Sequence, residues 1–268
     1  MSAPFAIPVG LNPTAIGVSG AWWIEAARRA EEAGFGTAWI WDHFISRGDL
    51  DDPLLECFTT LTAAAVSTER IGVGSFVVNN VNRHPAVLAN IVGTLADLTP
   101  GRVELGIGIG GHPVEHENYG LDFPPARERA ERLEEAIAVL RLLFAGGPAD
   151  YEGRYYQLRE ARSFPRPEPS PRITIAGMRP AGARLAARLG DAWTCFAEAY
   201  DELRPVFDRA VVAAGRAPED VGVIIGIEHE QVPEPIVDVA ARWQERGASE
   251  LIIPDVRPED LDRILGLV

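Results

Sequence analysis

The chain has 268 residues, 47% hydrophobic and 24% charged, which is long enough for one (β/α)8 barrel or two smaller domains and excludes a disordered segment. Only two cysteines occur, Cys57 and Cys195, so the chain is no disulfide-stapled module, and the absence of lysine excludes Schiff-base, pyridoxal, P-loop and protein-kinase chemistry. The formal net charge of −14, with no basic cluster, argues against a nucleic-acid partner.

Residues 1–24 carry no charged side chain, but Pro8, Gly10, Pro13, Gly17 and Gly20 interrupt any spanning helix and no basic leader precedes them; no membrane partner and a cytoplasmic location are expected. Short β-branched runs then alternate with longer helical patterns, the mark of parallel βαβ units. Strands are predicted at 5–11, 37–42, 70–79, 103–109, 172–177, 192–196, 221–228 and 250–255. Ser19 caps a first helix with Trp23, Ala26, Ala30 and Ala33 inward and Gly34 at its end. In the clearest helix, 125–144, Ala130, Leu133, Ile137, Leu140 and Phe144 step by three and four, with Glu131, Glu134 and Glu135 on the wet side. Pro180 opens and Gly190 closes another. Segment 147–171, with Gly153, three tyrosines and five prolines, reads as a small hairpin and a crossing between strands four and five. Eight strand–helix units without a composition break point to a single (β/α)8 TIM barrel domain over 1–268, with a doubly wound open sheet as the second architecture.

In such a barrel the functional face is the C-terminal end of the strands. There stand Asn12; Asp42 and His43; Asn79, Asn80 and Asn82; Gly108, Gly110, Gly111 and His112; Gly177, Met178 and Arg179; Cys195 and Glu198; Glu228, His229 and Glu230; and Asp255 and Arg257. Trp39-Ile40-Trp41-Asp42-His43 ends a strand in a carboxylate beside an imidazole, which reads either as a proton-transfer pair or as a strand-end cap with a backbone-satisfied histidine. Gly106, Gly108, Gly110 and Gly111 let a planar ligand approach the main chain, or simply fill a barrel interior with small residues; the spacing is not a Rossmann fingerprint. Gly177-Met178-Arg179-Pro180 leads into a helix N-terminus and offers a phosphate seat, as many βα turns do. His112-Pro113-Val114-Glu115-His116 matches a zinc-protease pattern but leaves room for about one helical turn, so the match reads as accidental and no metal is expected. Cys195, beside Trp193 and Phe196, reads as an apolar filler.

Three stretches share a further property. Glu32-Ala33-Gly34-Phe35-Gly36-Thr37-Ala38-Trp39-Ile40-Trp41-Asp42-His43, Arg70-Ile71-Gly72-Val73-Gly74 with Arg83-His84-Pro85, and Leu98-Thr99-Pro100-Gly101-Arg102-Val103-Glu104-Leu105-Gly106-Ile107-Gly108 resemble the bacterial luciferase-like flavin and deazaflavin oxidoreductases. The likeness covers most of residues 5–196 and fades from Val221 onward. It implies a (β/α)8 barrel, often a homodimer, holding coenzyme F420 or FMN at its C-terminal mouth with a small organic molecule as substrate. By the same resemblance, Asp42 and His43 fall near the reactive ring, with His43 the candidate for the proton that accompanies hydride transfer and Asp42 orienting the cofactor or the imidazole. The family's bulge after strand three, often with a non-prolyl cis peptide backing the ring, falls on Ser75 and Phe76, with Val78 beside it. Gly108 and Gly110, and the turn of Ala176, Gly177 and Met178, would receive the cofactor's linker and phosphate.

The sugar-phosphate dehydrogenases of the family place a catalytic glutamate where this chain has Gly111 and hold phosphate partly with lysines, which are absent here, so that substrate is not expected. The insertion after strand seven is reduced to 228–234. A short lid suits deazaflavin redox chemistry better than protection of an oxygen adduct from water. Two classes remain: an oxidoreductase using F420, with FMN monooxygenase chemistry as its variant, and a flavin-binding protein without turnover.

Overall fold

The computed structural model describes residues 5–46, 48–229, 232 and 235–266; Glu230 and most of the short 228–234 connection lie outside the described residues. The elements in chain order are β1 (Val9–Pro13), α1 (Gly20–Glu32), β2 (Thr37–Ile40), α2 (Cys57–Ser67), β3 (Gly72–Asn79), α3 (Pro85–Leu98), β4 (Val103–Gly108), α4 (Pro113–Tyr119) and α5 (Ala126–Ala145). They continue with β5 (Ala149–Glu152), β6 (Gln157–Ala161), β7 (Arg172–Ala176), α6 (Pro180–Leu189), β8 (Ala192–Phe196), α7 (Ala197–Ala213), β9 (Gly222–Gly226), α8 (Ile236–Glu245), β10 (Glu250–Val256) and α9 (Pro258–Leu265). Parallel strands in the order β1-β10-β9-β8-β7-β4-β3-β2 close a barrel, and β5 and β6 form the expected antiparallel hairpin outside it. This is the (β/α)8 architecture, not an open sheet. No helix among the described residues is long and apolar enough to cross a membrane.

Local chemistry sets most element ends as expected. The Ser19 side chain accepts from Trp22 N, α1 buries Trp23, Ala26 and Ala30, and the chain leaves it through Gly34 at φ +87°. Along α5, Leu133, Ile137, Leu140 and Phe144 are buried, but Ala130 is only half-buried. Arg129 takes the inward place instead, its guanidinium 3.8 Å above the Phe123 ring and donating to the carbonyls of Ile109 and Pro124. Glu135, expected on the wet side, accepts from the backbone N–H groups of Arg154, Tyr155 and Tyr156 and so docks the hairpin on α5.

Several expectations shift, among them the strand expected at 37–42, which ends at Ile40. The first strand runs Val9–Pro13 rather than 5–11, because Pro8 has no N–H for the ladder and pairing begins at Val9 opposite Leu251; Asn12 therefore lies within the wall. The strand expected at 221–228 ends at Gly226. The non-prolyl cis peptide joins Phe76 to Val77, one residue beyond the bond between Ser75 and Phe76. The ladder explains that position: Ser75 pairs with Leu105 and Val78 with Ile107, so Phe76 and Val77 together oppose Gly106 alone. A Cβ on Gly106 would stand 2.1 Å from the Ser75 carbonyl oxygen, so glycine is required where the bulge meets β4.

The apolar interior has two shells. One lies between barrel and helices; the other, inside the barrel, gathers Trp39, Phe76, Ala192, Ile224 and Ile252. Trp39 lies across the interior where β1 and β3 carry glycines: a Cβ on Gly10 would be 2.2 Å from its Nε1 and one on Gly74 2.5 Å from its Cζ3. Phe76 and Phe196 meet above it at 6.0 Å between ring centroids, flooring the mouth. At the opposite end Arg172 joins Glu104 and Glu250.

Candidate active site

Asp42 and His43 leave β2 side by side and go to different partners. Asp42 is 2% exposed, and its two oxygens take the Arg83 guanidinium at 2.6 and 2.7 Å, with Asn79 N donating at 3.0 Å. Arg83 also reaches Glu56 at 3.3 Å. Burial disfavours the Arg83 charge, but the hydrogen bonds and negative charge of Asp42 outweigh it and hold the pKa above its ordinary value. Asp42 thus ties the end of β2 to the turn after β3.

The His43 imidazole is met instead by Glu115, its Nδ1 lying 3.1 Å from Glu115 Oε2. The same oxygen accepts from Phe44 N at 3.0 Å, and the Glu115 side chain has no exposed surface. Burial pushes the Glu115 carboxyl up, yet the hydrogen bonds from His43 and Phe44 prevail and keep it below the usual glutamate value. The 112–116 pattern that mimics a zinc motif is therefore a latch. His112 caps α4 by accepting Glu115 N at 3.3 Å, and buried His116 sits between Asn79 Nδ2 (2.9 Å) and the Asp122 carbonyl (3.0 Å). Through Glu115 and His116, one short helix grips the ends of β2 and β3.

The aromatic side chains of the rim follow from this frame. Trp41 and His112 both meet the His43 ring edge-on, at centroid distances of 6.4 and 5.6 Å. Asn12 satisfies its amide by donating to the Trp39 and Pro13 carbonyls and accepting from Trp41 Nε1 at 2.9 Å, which holds that indole at the rim. Phe44 lies 5.6 Å from the Tyr119 ring.

Across the mouth the wall is largely main chain. A Cβ on Gly108 would stand 3.2 Å from Val77, Gly110 is at φ +82° against the Asn79 side chain, and Gly111 faces open space. Such a wall lets a flat ring and a sugar-phosphate tail lie against the backbone, which fits a flavin-like group. Val78 is fully buried in the shell between barrel and helices, and half-buried Val77 stands at Gly108 instead; the extra residue of the bulge accounts for the exchange. Ser75 is buried with its hydroxyl on the Gly106 carbonyl at 2.8 Å. A Cβ on Gly177 would meet the Gly182 carbonyl carbon at 2.5 Å, so this glycine seats the turn after Ala176 against the first turn of α6. That helix has no side-chain cap hydrogen bond, and exposed Met178 accepts from Phe196 N through its sulfur at 3.3 Å.

Other strand-end residues serve the frame. Burial and the charge of Glu198 push the Cys195 thiol up to about 12, which leaves it no nucleophile near neutral pH. His229 is buried and pairs with Asp260 on α9 at 3.0 Å. Glu115, Arg83 and Val77 are the neighbours that reading the strand ends alone did not bring to the site; Glu115 carried a signal as the acidic member of the 112–116 pattern, and Arg83 as part of the stretch that carries the resemblance.

The luciferase-like monooxygenase family matches the chain over residues 3–229. An F420-dependent glucose-6-phosphate dehydrogenase of Microbacterium testaceum is 34% identical over 211 residues, 76% of this chain and 62% of that one. An F420-dependent hydroxymycolic acid dehydrogenase of Mycobacterium tuberculosis is 36% identical over 199 residues, 73% of this chain and 55% of the relative. The alignments thus span less than two thirds of the length of these dehydrogenases. The solved structure of an F420-dependent secondary alcohol dehydrogenase in complex with an F420-acetone adduct superposes with a TM-score of 0.86 at 20% identity, over 98% of each chain. The chain belongs to the luciferase-like monooxygenase family.

Proposed function

We propose that this protein is an oxidoreductase that binds coenzyme F420 at the barrel mouth and exchanges a hydride between it and a small organic molecule. The observation that carries the reading is His43, held by Glu115 at the rim of a barrel mouth where the β4 glycines leave bare main chain. The F420-dependent dehydrogenases among the relatives support the choice of cofactor. When bound, the deazaflavin supplies the carbon that takes or gives the hydride. His43 takes the proton released when the substrate is oxidised and returns it in the reverse direction. Asp42 acts by fixing the turn from Asn79 to Arg83. Phe76 and Val77, Gly108, Gly110, Ala176, Gly177 and Met178 form the cofactor wall, with Ser75 pinning the bulge behind it. The first-turn N–H groups of α6 and Arg179 receive the phosphate.

The substrate we propose is uncharged, planar or apolar. Trp41, Phe44, Phe76 and Phe196 supply its surroundings, whereas Gly111 offers no side chain and the chain holds no lysine to neutralise a sugar phosphate. We propose one barrel domain over 1–268, acting as a cytoplasmic homodimer. Parallel titration of the cofactor-stripped protein with F420 and FMN tests the assignment. Preferential micromolar F420 binding is expected; FMN preference moves the chemistry to a flavin monooxygenase, and binding of neither removes the enzyme reading. In His43→Ala, turnover should fall about 10²–10⁴-fold while the F420 Kd stays within about threefold; lost binding would make His43 structural.

A further inference from the structure

We infer that Glu115 is a positioning residue that fixes His43 as the Nδ1–H tautomer, so that the basic lone pair of the imidazole lies on Nε2. The function assigned to that Nε2 rests on the oxidoreductase reading; the tautomer itself does not.

Glu115 Oε2 lies 3.1 Å from His43 Nδ1 and 3.0 Å from Phe44 N. An ionised carboxylate can only accept, so the proton of this contact belongs to Nδ1. Burial opposes the charge, but the two donors offset it, and the carboxyl titrates below the ordinary glutamate range.

The neighbouring groups have their own partners. Asp42, adjacent to His43 in sequence, is bound through both oxygens to Arg83. His112 accepts Glu115 N through Nδ1, so as a neutral ring it carries its proton on Nε2. His116 donates from Nδ1 to the Asp122 carbonyl and accepts the Asn79 amide at Nε2; its Nε2 lies 3.9 Å from Glu115 Oε1. His112 Nδ1 and both His116 nitrogens meet main-chain or amide groups, whereas His43 Nδ1 meets a carboxylate. A carboxylate at Nδ1 also stabilises the imidazolium that forms when Nε2 takes a proton. The wrong tautomer in a comparable arrangement, the serine-protease triad, lowers turnover by about 10⁴-fold.

The test is long-range ¹H–¹⁵N NMR of histidine-labelled protein at pH 8, with the His43 signals assigned by their loss in His43→Gln. In the wild type the His43 proton is expected on Nδ1. Because one oxygen, Oε2, meets both donors, a Gln amide oxygen could replace it at both, so the informative variant is Glu115→Leu, in which no acceptor remains at His43 Nδ1 and the ring proton is expected to move to Nε2. Turnover with F420 should then fall about 10²–10⁴-fold, with the F420 Kd within about threefold of wild type. An Nε2–H wild type overturns the inference without any variant, and so does a folded Glu115→Leu protein whose His43 tautomer is unchanged. A wild type that binds no F420 removes the reaction reading, and the tautomer measurement still decides the assignment of Glu115.

Discussion

Arg83 and Asp42 show how a single pair can organise a site without acting on a substrate. Their side chains are 13% and 1% exposed, and their two contacts are bidentate. Replacing the pair by apolar groups need not destabilise the fold, but removing one member strands a buried charge. Arg83→Ala should therefore lower unfolding stability by about 3–5 kcal/mol, read by urea denaturation. Because Asp42 also holds Asn79 N, and Asn79 holds His116, the variant should weaken F420 binding as well. Unchanged binding in a destabilised protein would confine the pair to the scaffold.

Among the elements, the barrel wall is regular except where it meets the mouth. The β3 bulge turns Val77 toward Gly108 and Val78 into the outer shell. A second irregularity lies on β10: Leu11 pairs with Ile253, but Pro13 pairs with Val256, so Pro254 and Asp255 together oppose Asn12 alone. There Asp255 takes φ +52°, a left-handed conformation that an aspartate adopts at some cost, and its Oδ1 is buried without a hydrogen-bond partner. Asp255→Gly should raise the Tm by about 2–4 °C, since glycine enters that region freely and about 1 kcal/mol moves a domain of this size by that amount. Scanning calorimetry of the two proteins checks it; a lower Tm would mean that the aspartate side chain contributes more than its backbone costs. Helix α4 presents the opposite case, a short element whose two buried side chains, Glu115 and His116, both join it to its neighbours.

At the scale of the molecule, the two ends of the barrel carry opposite duties. The mouth holds the titratable groups of the proposed reaction, and the far end is closed by Arg172 between Glu104 and Glu250. Burial pushes Glu250 up to about 7, against the pull of Arg172 and together with the repulsion of Glu104. Its ordinary value is 4.5, so between about pH 4.5 and 7 the folded chain holds more protons at this position than the unfolded chain. The stability linked to Glu250 is greatest below that window and declines as pH rises through it. Glu250→Gln should flatten this slope, so that its Tm relative to wild type improves from pH 5 to pH 8; an unchanged slope would show that the proton is held elsewhere.

Hydrophobic period and turn chemistry determined the barrel, because strand–helix alternation, Ser19, Gly34, Pro180 and Gly190 act through local backbone preferences that a single sequence displays. The adjacency of Asp42 and His43, and the glycine track on β4, were legible for the same reason. Their partners were not. Glu115 lies 72 residues from His43 and Arg83 lies 41 from Asp42, and which carboxylate meets which cation depends on the order in which the strands close. Local pattern could not say whether Val77 or Val78 faces the mouth, since the bulge that decides it arises only when two residues of β3 meet one glycine of β4. The sequence by itself determined the fold and the residue types at the mouth. The tertiary structure decided their pairing, because hydrogen bonds and charge contacts act over a few ångströms and only closure of the barrel brings such distant residues that near.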